Sequence, residues 1–175
     1  WFWKMKWDKV FEIVELDGFK MIVDPNDTNI TPPLRADKVW EPKSTKIFRS
    51  LMSSNNVVVD CGAHWGYYTI IASQKVMWVH AFEPNPKSFM ILATNVILNG
   101  LTNVSLYPFA LWNATQPLVI EIEPTTTGGS HIINRGYNPN NPIGPVVGVA
   151  LDDLFTSVDF IKIDCEGSDA LVLMG

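Results

Sequence analysis

Two kinds of hydrophobic repeat alternate along the chain, and their order predicts its architecture. Two alternating runs, "VFEIVEL" and "FKMIVD", flank Asp17-Gly18, which predicts a β-hairpin with a two-residue turn. A helix over about Ser44 to Ser53 follows a Pro/Asn-rich loop. Val57, Val58 and Val59 then run unbroken into Asp60, as a strand buried on both faces does, and Tyr67 to Lys75 reads as a helix. "VMWVHAFEP" is a second buried strand, ending at Glu83. In "NPKSFMILATNVILNG", Phe89, Leu92, Ala93 and Val96 recur at helical spacing. Asn85 suits its N-cap, Pro86 its first position and Gly100 its end. A third strand runs through "VSLYPFAL", "PLVIEIEP" adds another, and Phe160 to Asp164 makes a fourth buried strand after "VVGVALDDLF".

Apolar strands alternating with helices predict an α/β fold: a mostly parallel sheet with helices on both faces, preceded by the hairpin. Residues 1–42 read as a lead-in packed on a core domain of residues 43–175. The opening "WFWKMKW" reads as a packed or interfacial segment rather than a membrane anchor. The fourth strand of such a sheet takes hydrogen bonds from a fifth. The start at Trp1 and the stop at Gly175 inside a helical pattern therefore suggest a fragment with C-terminal strands missing. "DFIKID" would then be an edge that invites self-association.

Composition narrows the class. The chain has 175 residues, 47% of them hydrophobic, which is one domain with material for a core. Its net charge of −5 and the lack of any Lys/Arg cluster argue against a nucleic-acid partner. No apolar run is long enough to span a membrane, and no signal peptide is evident, so a cytoplasmic location is expected. Four N-x-S/T sequons, at Asn26, Asn29, Asn103 and Asn113, are read as chance. Cys61 and Cys165 each follow a strand-ending aspartate and are read as neighbouring buried thiols rather than a disulfide.

The chemistry gathers at the strand ends. Ligands of parallel sheets bind at the carboxyl ends of the strands, where this sequence places Asp60, Glu83 and Asp164. Gly62 and Gly66 let the backbone turn tightly between strand and helix. Glu83 follows Gly62 by about twenty residues, the spacing of an acidic ribose clamp. A carboxylate there also suits capping of the next helix. NAD and S-adenosylmethionine share this geometry, but the turn separates them. Gly62-Ala63-His64-Trp65-Gly66 lacks the G-x-G-x-x-G dinucleotide fingerprint, and Trp65 crowds the place of a pyrophosphate. Asp60 beside the turn favours a cationic ligand, such as a sulfonium.

The blocks "VVVDCGAHWGYYT", "HAFEPNP", "NVILNG", "PFAL", "LDDL" and "DFIKIDCEG" resemble, in order and spacing, the FkbM-type methyltransferases over roughly Lys38 to Gly175. The resemblance implies a class I, Rossmann-like fold that uses S-adenosylmethionine, usually to O-methylate small molecules or sugars. It places Asp60, Gly62, Ala63 and Gly66 in the cofactor turn, with His64 and Tyr68 beside them. Glu83 becomes the ribose clamp next to Pro84, Phe109 and Ala110 line the adenine, and Asp164 and Glu166 face the methyl group. His64 stands where the family commonly has asparagine, and Asp169 where it has glutamate.

An alcohol acceptor gains from a base or a metal that removes its proton. Asp164 and Glu166, two apart, share a side if the strand persists that far. Pairing with Lys162 or capping the next helix is their structural alternative. His131 could reach over the site as a base, with a solvated loop histidine as its alternative. The histidines form no metal-ligand pattern, and paired carboxylates could hold Mg²⁺ only weakly. The reading is a methyltransferase acting on a small molecule or carbohydrate. An NAD-dependent oxidoreductase and an inactive cofactor-binding module remain as rivals.

Overall fold

The computed structural model describes residues 11–124, 126–133 and 138–175, so "WFWKMKW" lies outside the described residues. The hairpin forms as expected. Strands β1 (Glu12–Leu16) and β2 (Phe19–Val23) pair antiparallel, with Leu16 opposite Phe19 across the Asp17-Gly18 turn. Helices α1 (Thr31–Ala36) and α2 (Pro42–Leu51) follow, the latter beginning two residues earlier than the sequence pattern suggests, with Pro42 in its first turn.

The central sheet has four parallel strands in the order β10-β3-β4-β5: β3 (Val57–Cys61), β4 (Trp78–Phe82), β5 (Val104–Tyr107) and β10 (Phe160–Ile163). Helix α3 (Tyr67–Ser73) joins β3 to β4, and α4 (Pro86–Leu98) joins β4 to β5. Strand residues alternate between the two faces, as a pleated sheet requires. Val58 and Val79 meet α3, Ala81 meets α4, and Val59 and Phe82 pack on the opposite face with Leu151, Phe155 and Val172. That second face is covered by a short 3-10 turn (Leu151–Asp153) and helix α5 (Asp169–Val172), not by long helices.

Helix α4 carries the predicted cap, in which the Asn85 side chain accepts a bond from the Lys87 amide. Its Asn95 and Asn99, one turn apart, treat the edge of β2 as a neighbouring strand would. Asn99 exchanges bonds with the Lys20 backbone (3.0 and 2.7 Å) and Asn95 with that of Ile22 (2.6 and 3.0 Å). Asn95 also donates to the Trp65 carbonyl at 2.9 Å, tying the hairpin to the turn after β3.

The sequence pattern misses one feature. "VSLYPFAL" is not one strand, because Pro108 breaks it. Its second half, β6 (Ala110–Leu111), joins β7 (Gln116–Glu121), β8 (His131–Ile132) and β9 (Ile143–Val149) in a separate mixed sheet of order β6-β9-β7-β8. Ala110, Trp112, Ile120 and Ile132 form its core. This sheet carries the 126–132 segment to the strand ends of the central one.

Candidate functional site

The turn after β3 is built so that only glycine fits at two places. Gly62 has φ +72°, and a Cβ there would lie 2.0 Å from the Asp164 carbonyl oxygen. Gly66 has φ +89°, and a Cβ there would meet Leu92 Cδ1 at 2.6 Å, so it sets the approach of α3 to α4. The amides of Gly62 and Ala63 both donate to the Phe82 carbonyl, at 3.0 and 2.9 Å, which moors the turn to the end of β4.

Just past that end lies Glu83, only 6% exposed. Its Oε2 accepts from the His64 amide and its Oε1 from the Asn85 amide, both at 2.8 Å. His64 adopts the left-handed region (φ 51°) to present that amide. Such a conformation costs a non-glycine residue about 1–3 kcal/mol. Burial pushes the Glu83 carboxyl up to about 7, against the pull of the two amides. Burial likewise pushes the His64 imidazole down to about 3, helped by Lys162 and Lys87, and the neutral ring stacks on Trp65.

A cavity of about 340 Å³ opens over these strand ends. Gly62, Ala63, His64, Tyr68, Glu83, Pro84, Phe109, Ala110, His131, Asp164 and Glu166 all line it. Two residues of the sequence-based set do not. Gly66 works behind the turn, and Asp60 is 0% exposed with its carboxylate engaged inside the protein. Asp60 Oδ2 accepts from the Thr69 hydroxyl at 2.6 Å, and Oδ1 lies 3.4 Å from Lys162 Nζ. Strand register explains the pair, since Asp60 and Lys162 are direct partners across β3 and β10. Asp60 therefore anchors the turn from inside the protein and does not line the cavity.

Lys162 lines the cavity although the sequence reading gave it no role there. Its side chain is 14% exposed, lies 3.6 Å from Asp164 Oδ2, and sits over the Tyr68 ring at 5.0 Å. Burial disfavours its ammonium, but Asp60 and Asp164 outweigh that and raise its pKa above the ordinary value. The signal was a lysine two residues before Asp164 on a strand adjoining Asp60.

The strand does not persist as far as Asp164 and Glu166, so alternation does not set their sides. β10 ends at Ile163, and Glu166 turns into the left-handed region at φ 47°. Both residues reach the cavity by way of that turn. Asp164 is 62% exposed, whereas Glu166 is raised above its ordinary pKa, first by burial and then by Asp164. His131 has both ring nitrogens near acceptors: Nδ1 is 3.3 Å from the Gly129 carbonyl and Nε2 is 3.6 Å from Glu121 Oε2. The N-terminal region also contributes Asn29, Ile30 and Trp40 to the lining, which the sequence reading missed. Tyr68 fastens it there by donating to Glu41 at 3.0 Å. Among the described residues no group of three or more His, Cys, Asp or Glu is arranged to hold a metal, and no helix is long and apolar enough to cross a membrane.

The model of the methyltransferase FkbM domain matches residues 60–175, from the aspartate of the turn to the last residue. The chain belongs to the FkbM methyltransferase family. Its family makes residues 60–175 a methyltransferase domain with S-adenosylmethionine as cofactor. The cavity fits that group, because each oxygen of the buried Glu83 carboxylate accepts one amide and has a second lone pair for a hydroxyl of a vicinal diol, beside a tight glycine turn.

Comparison with curated proteins finds no match. Among solved structures, wild-type Trm5b from Pyrococcus abyssi is 22% identical with a TM-score of 0.46, over 56% of this chain and 28% of that one. TYW2 from M. jannaschii, in complex with AdoMet, is 27% identical with a TM-score of 0.45, over 57% of this chain and 43% of its own. The putative methyltransferase SMU.1697c from Streptococcus mutans, in complex with SAH, is 17% identical with a TM-score of 0.38, over 39% of each chain. This chain thus spans less than half the length of each, and similarity at this level says nothing about its acceptor.

Proposed function

We propose that the protein transfers a methyl group from S-adenosylmethionine to a hydroxyl of a small molecule or sugar. The observation that carries the reading is Glu83, a buried carboxylate at the end of a parallel strand, bonded to the turn of the matched domain and lining the cavity. In this reading Glu83 accepts from the ribose hydroxyls, while Phe109, Ala110 and Pro84 enclose the base. Ala63, His64 and Tyr68 line the rest of the cofactor's bed, and Gly62 and Gly66 shape it. When bound, the cofactor supplies a methyl group on a cationic sulfur.

The acceptor side falls to Asp164 and Glu166. Burial and the neighbouring Asp164 raise the proton affinity of Glu166, which suits it to take a hydroxyl proton. Lys162 holds Asp164 on the cavity wall. Within the lead-in, Asn29, Ile30 and Trp40 close one side of the cavity. A small neutral acceptor suits this wall better than a nucleic acid, because Glu83, Asp164 and Glu166 face the cavity and the chain's net charge is −5. The two free thiols suit a reducing, cytoplasmic setting.

Calorimetry with S-adenosylmethionine, S-adenosylhomocysteine and NAD tests the reaction class. Binding of the first two and not the third is expected, and the reverse would make the protein an oxidoreductase. Binding without turnover would favour a cofactor-binding module. Incubation with methyl-labelled donor then tests the acceptor: label should enter small molecules or sugars of a native extract. Label entering RNA instead would overturn the acceptor class.

A further inference from the structure

Cys61 closes β3 and Cys165 lies two residues beyond the end of β10, and neither has a part in the reaction above. Their Sγ atoms are 3.0 Å apart, closer than two sulfurs in ordinary van der Waals contact. Both are free thiols and both line the cavity. Cys61 is buried, and its bond with Cys165 together with burial raises its pKa well above the ordinary thiol value. Cys165 is half-buried, so it is the thiol that a small molecule entering the cavity meets first.

The main chain holds the pair in place. The Asp164 amide donates to the Cys61 carbonyl at 3.1 Å, and Gly62 leaves no room for even a Cβ against the Asp164 carbonyl. The Cys165 amide is fixed in turn by Asp169 Oδ1 at 2.9 Å. The two segments therefore have little freedom to separate.

We infer that Cys61 and Cys165 form a redox-sensitive dithiol. Its oxidation by a small-molecule disulfide cross-links the cofactor turn to the segment bearing Asp164 and Glu166. The Cys165 thiolate attacks one sulfur of the oxidant and expels one small thiol, leaving a mixed disulfide. Cys61 gives up its proton to solvent, attacks Cys165 Sγ and expels the second small thiol. Two protein thiols are oxidised and one disulfide is reduced to two thiols. Closure brings the sulfurs from 3.0 Å to about 2.05 Å. That contraction falls on the turn whose His64 amide holds Glu83, so the ligand bed moves with it. The link to cofactor binding rests on the function proposed above; formation of the disulfide does not.

The test exposes the 175-residue protein to oxidised glutathione, alkylates it under denaturing conditions and reads intact and peptide masses. Wild type should lose two hydrogens, resist alkylation at both cysteines and revert with dithiothreitol. Cys61→Ser should stop at a glutathione adduct on Cys165, and Cys165→Ser should remain unmodified, with folding checked by circular dichroism. Wild type that stays reduced, or that accumulates the adduct without closing the ring, would overturn the proposal whatever the variants do. Closure should weaken S-adenosylhomocysteine binding by about tenfold, reversibly. Complete closure with unchanged affinity would overturn the coupling to the site, and failure of reduced wild type to bind would overturn the cofactor reading instead.

Discussion

At the scale of single residues, two carboxylates at neighbouring strand ends have different tasks. Glu83 is buried against only two amides and sits at about 7 rather than near its ordinary value of 4.5. Because its folded value is raised, its contribution to stability is present below pH 4.5 and fades as pH rises through 7. The ligand-free protein should therefore lose up to roughly 3 kcal/mol across that window. Glu83→Gln should flatten the loss in urea titrations run at several pH values. Ligand binding has the opposite sign, since ribose hydroxyls donate better to the ionised form. S-adenosylhomocysteine affinity should climb as pH passes 7, and Glu83→Gln should reduce it by about tenfold or more at pH 8. An affinity independent of both pH and substitution would remove Glu83 from the site. Asp60 should behave differently, because its carboxylate compensates a buried Lys162. Asp60→Asn should destabilise the fold by about 3 kcal/mol in urea denaturation. If it instead lowers ligand affinity in a protein of unchanged stability, Asp60 contacts the ligand after all.

At the scale of elements, the asparagines of α4 connect the hairpin to the site. Asn95 is fully buried and makes three backbone bonds, two with β2 and one with the turn after β3. Asn95→Ala strands all three partners, each lost pairing costing about 1–3 kcal/mol. A fall of at least about 2 kcal/mol in urea stability is expected, and a fall below about 0.5 kcal/mol would show that hydrophobic packing alone seats the hairpin. The elements legible in the sequence are those whose signals are local. The Asp17-Gly18 turn, the Asn85 cap and the valine run of β3 each announce themselves within a few residues. The mixed sheet does not. Its β6 and β8 have two residues each, its β9 carries Pro145 and two glycines, and its order depends on pairings remote in sequence. The site divides along the same line. Glu83 and the glycines follow from spacing, whereas the inward engagement of Asp60 depends on a register with Lys162 that only the folded sheet creates. Asp164 and Glu166 reach the cavity through a left-handed turn, for which strand alternation gives no rule.

At the scale of the whole molecule, the central sheet ends on β10. Phe160, Ile161 and Ile163 of that strand are each only half-buried, and among the described residues its far edge pairs with no strand. The opposite edge, β5, is a four-residue strand followed directly by Pro108, which lacks an amide to extend the ladder. The edges are therefore unequal, and β10 is the one open to pairing. Leu173 and Met174, largely exposed just beyond α5, add apolar surface near that end of the chain. A second copy could add its own β10 alongside and satisfy the free backbone groups of both. The 175-residue protein should accordingly self-associate, and its sedimentation coefficient should rise with concentration. Ionic strength should do little to reverse this, because backbone bonds and apolar contact hold the pair rather than charge. Hydrogen exchange gives the matching local readout: the amides of residues 160–163 should gain protection as concentration increases, while those of β5 stay unchanged. A monomer at every concentration would show that the β10 edge does not pair between copies.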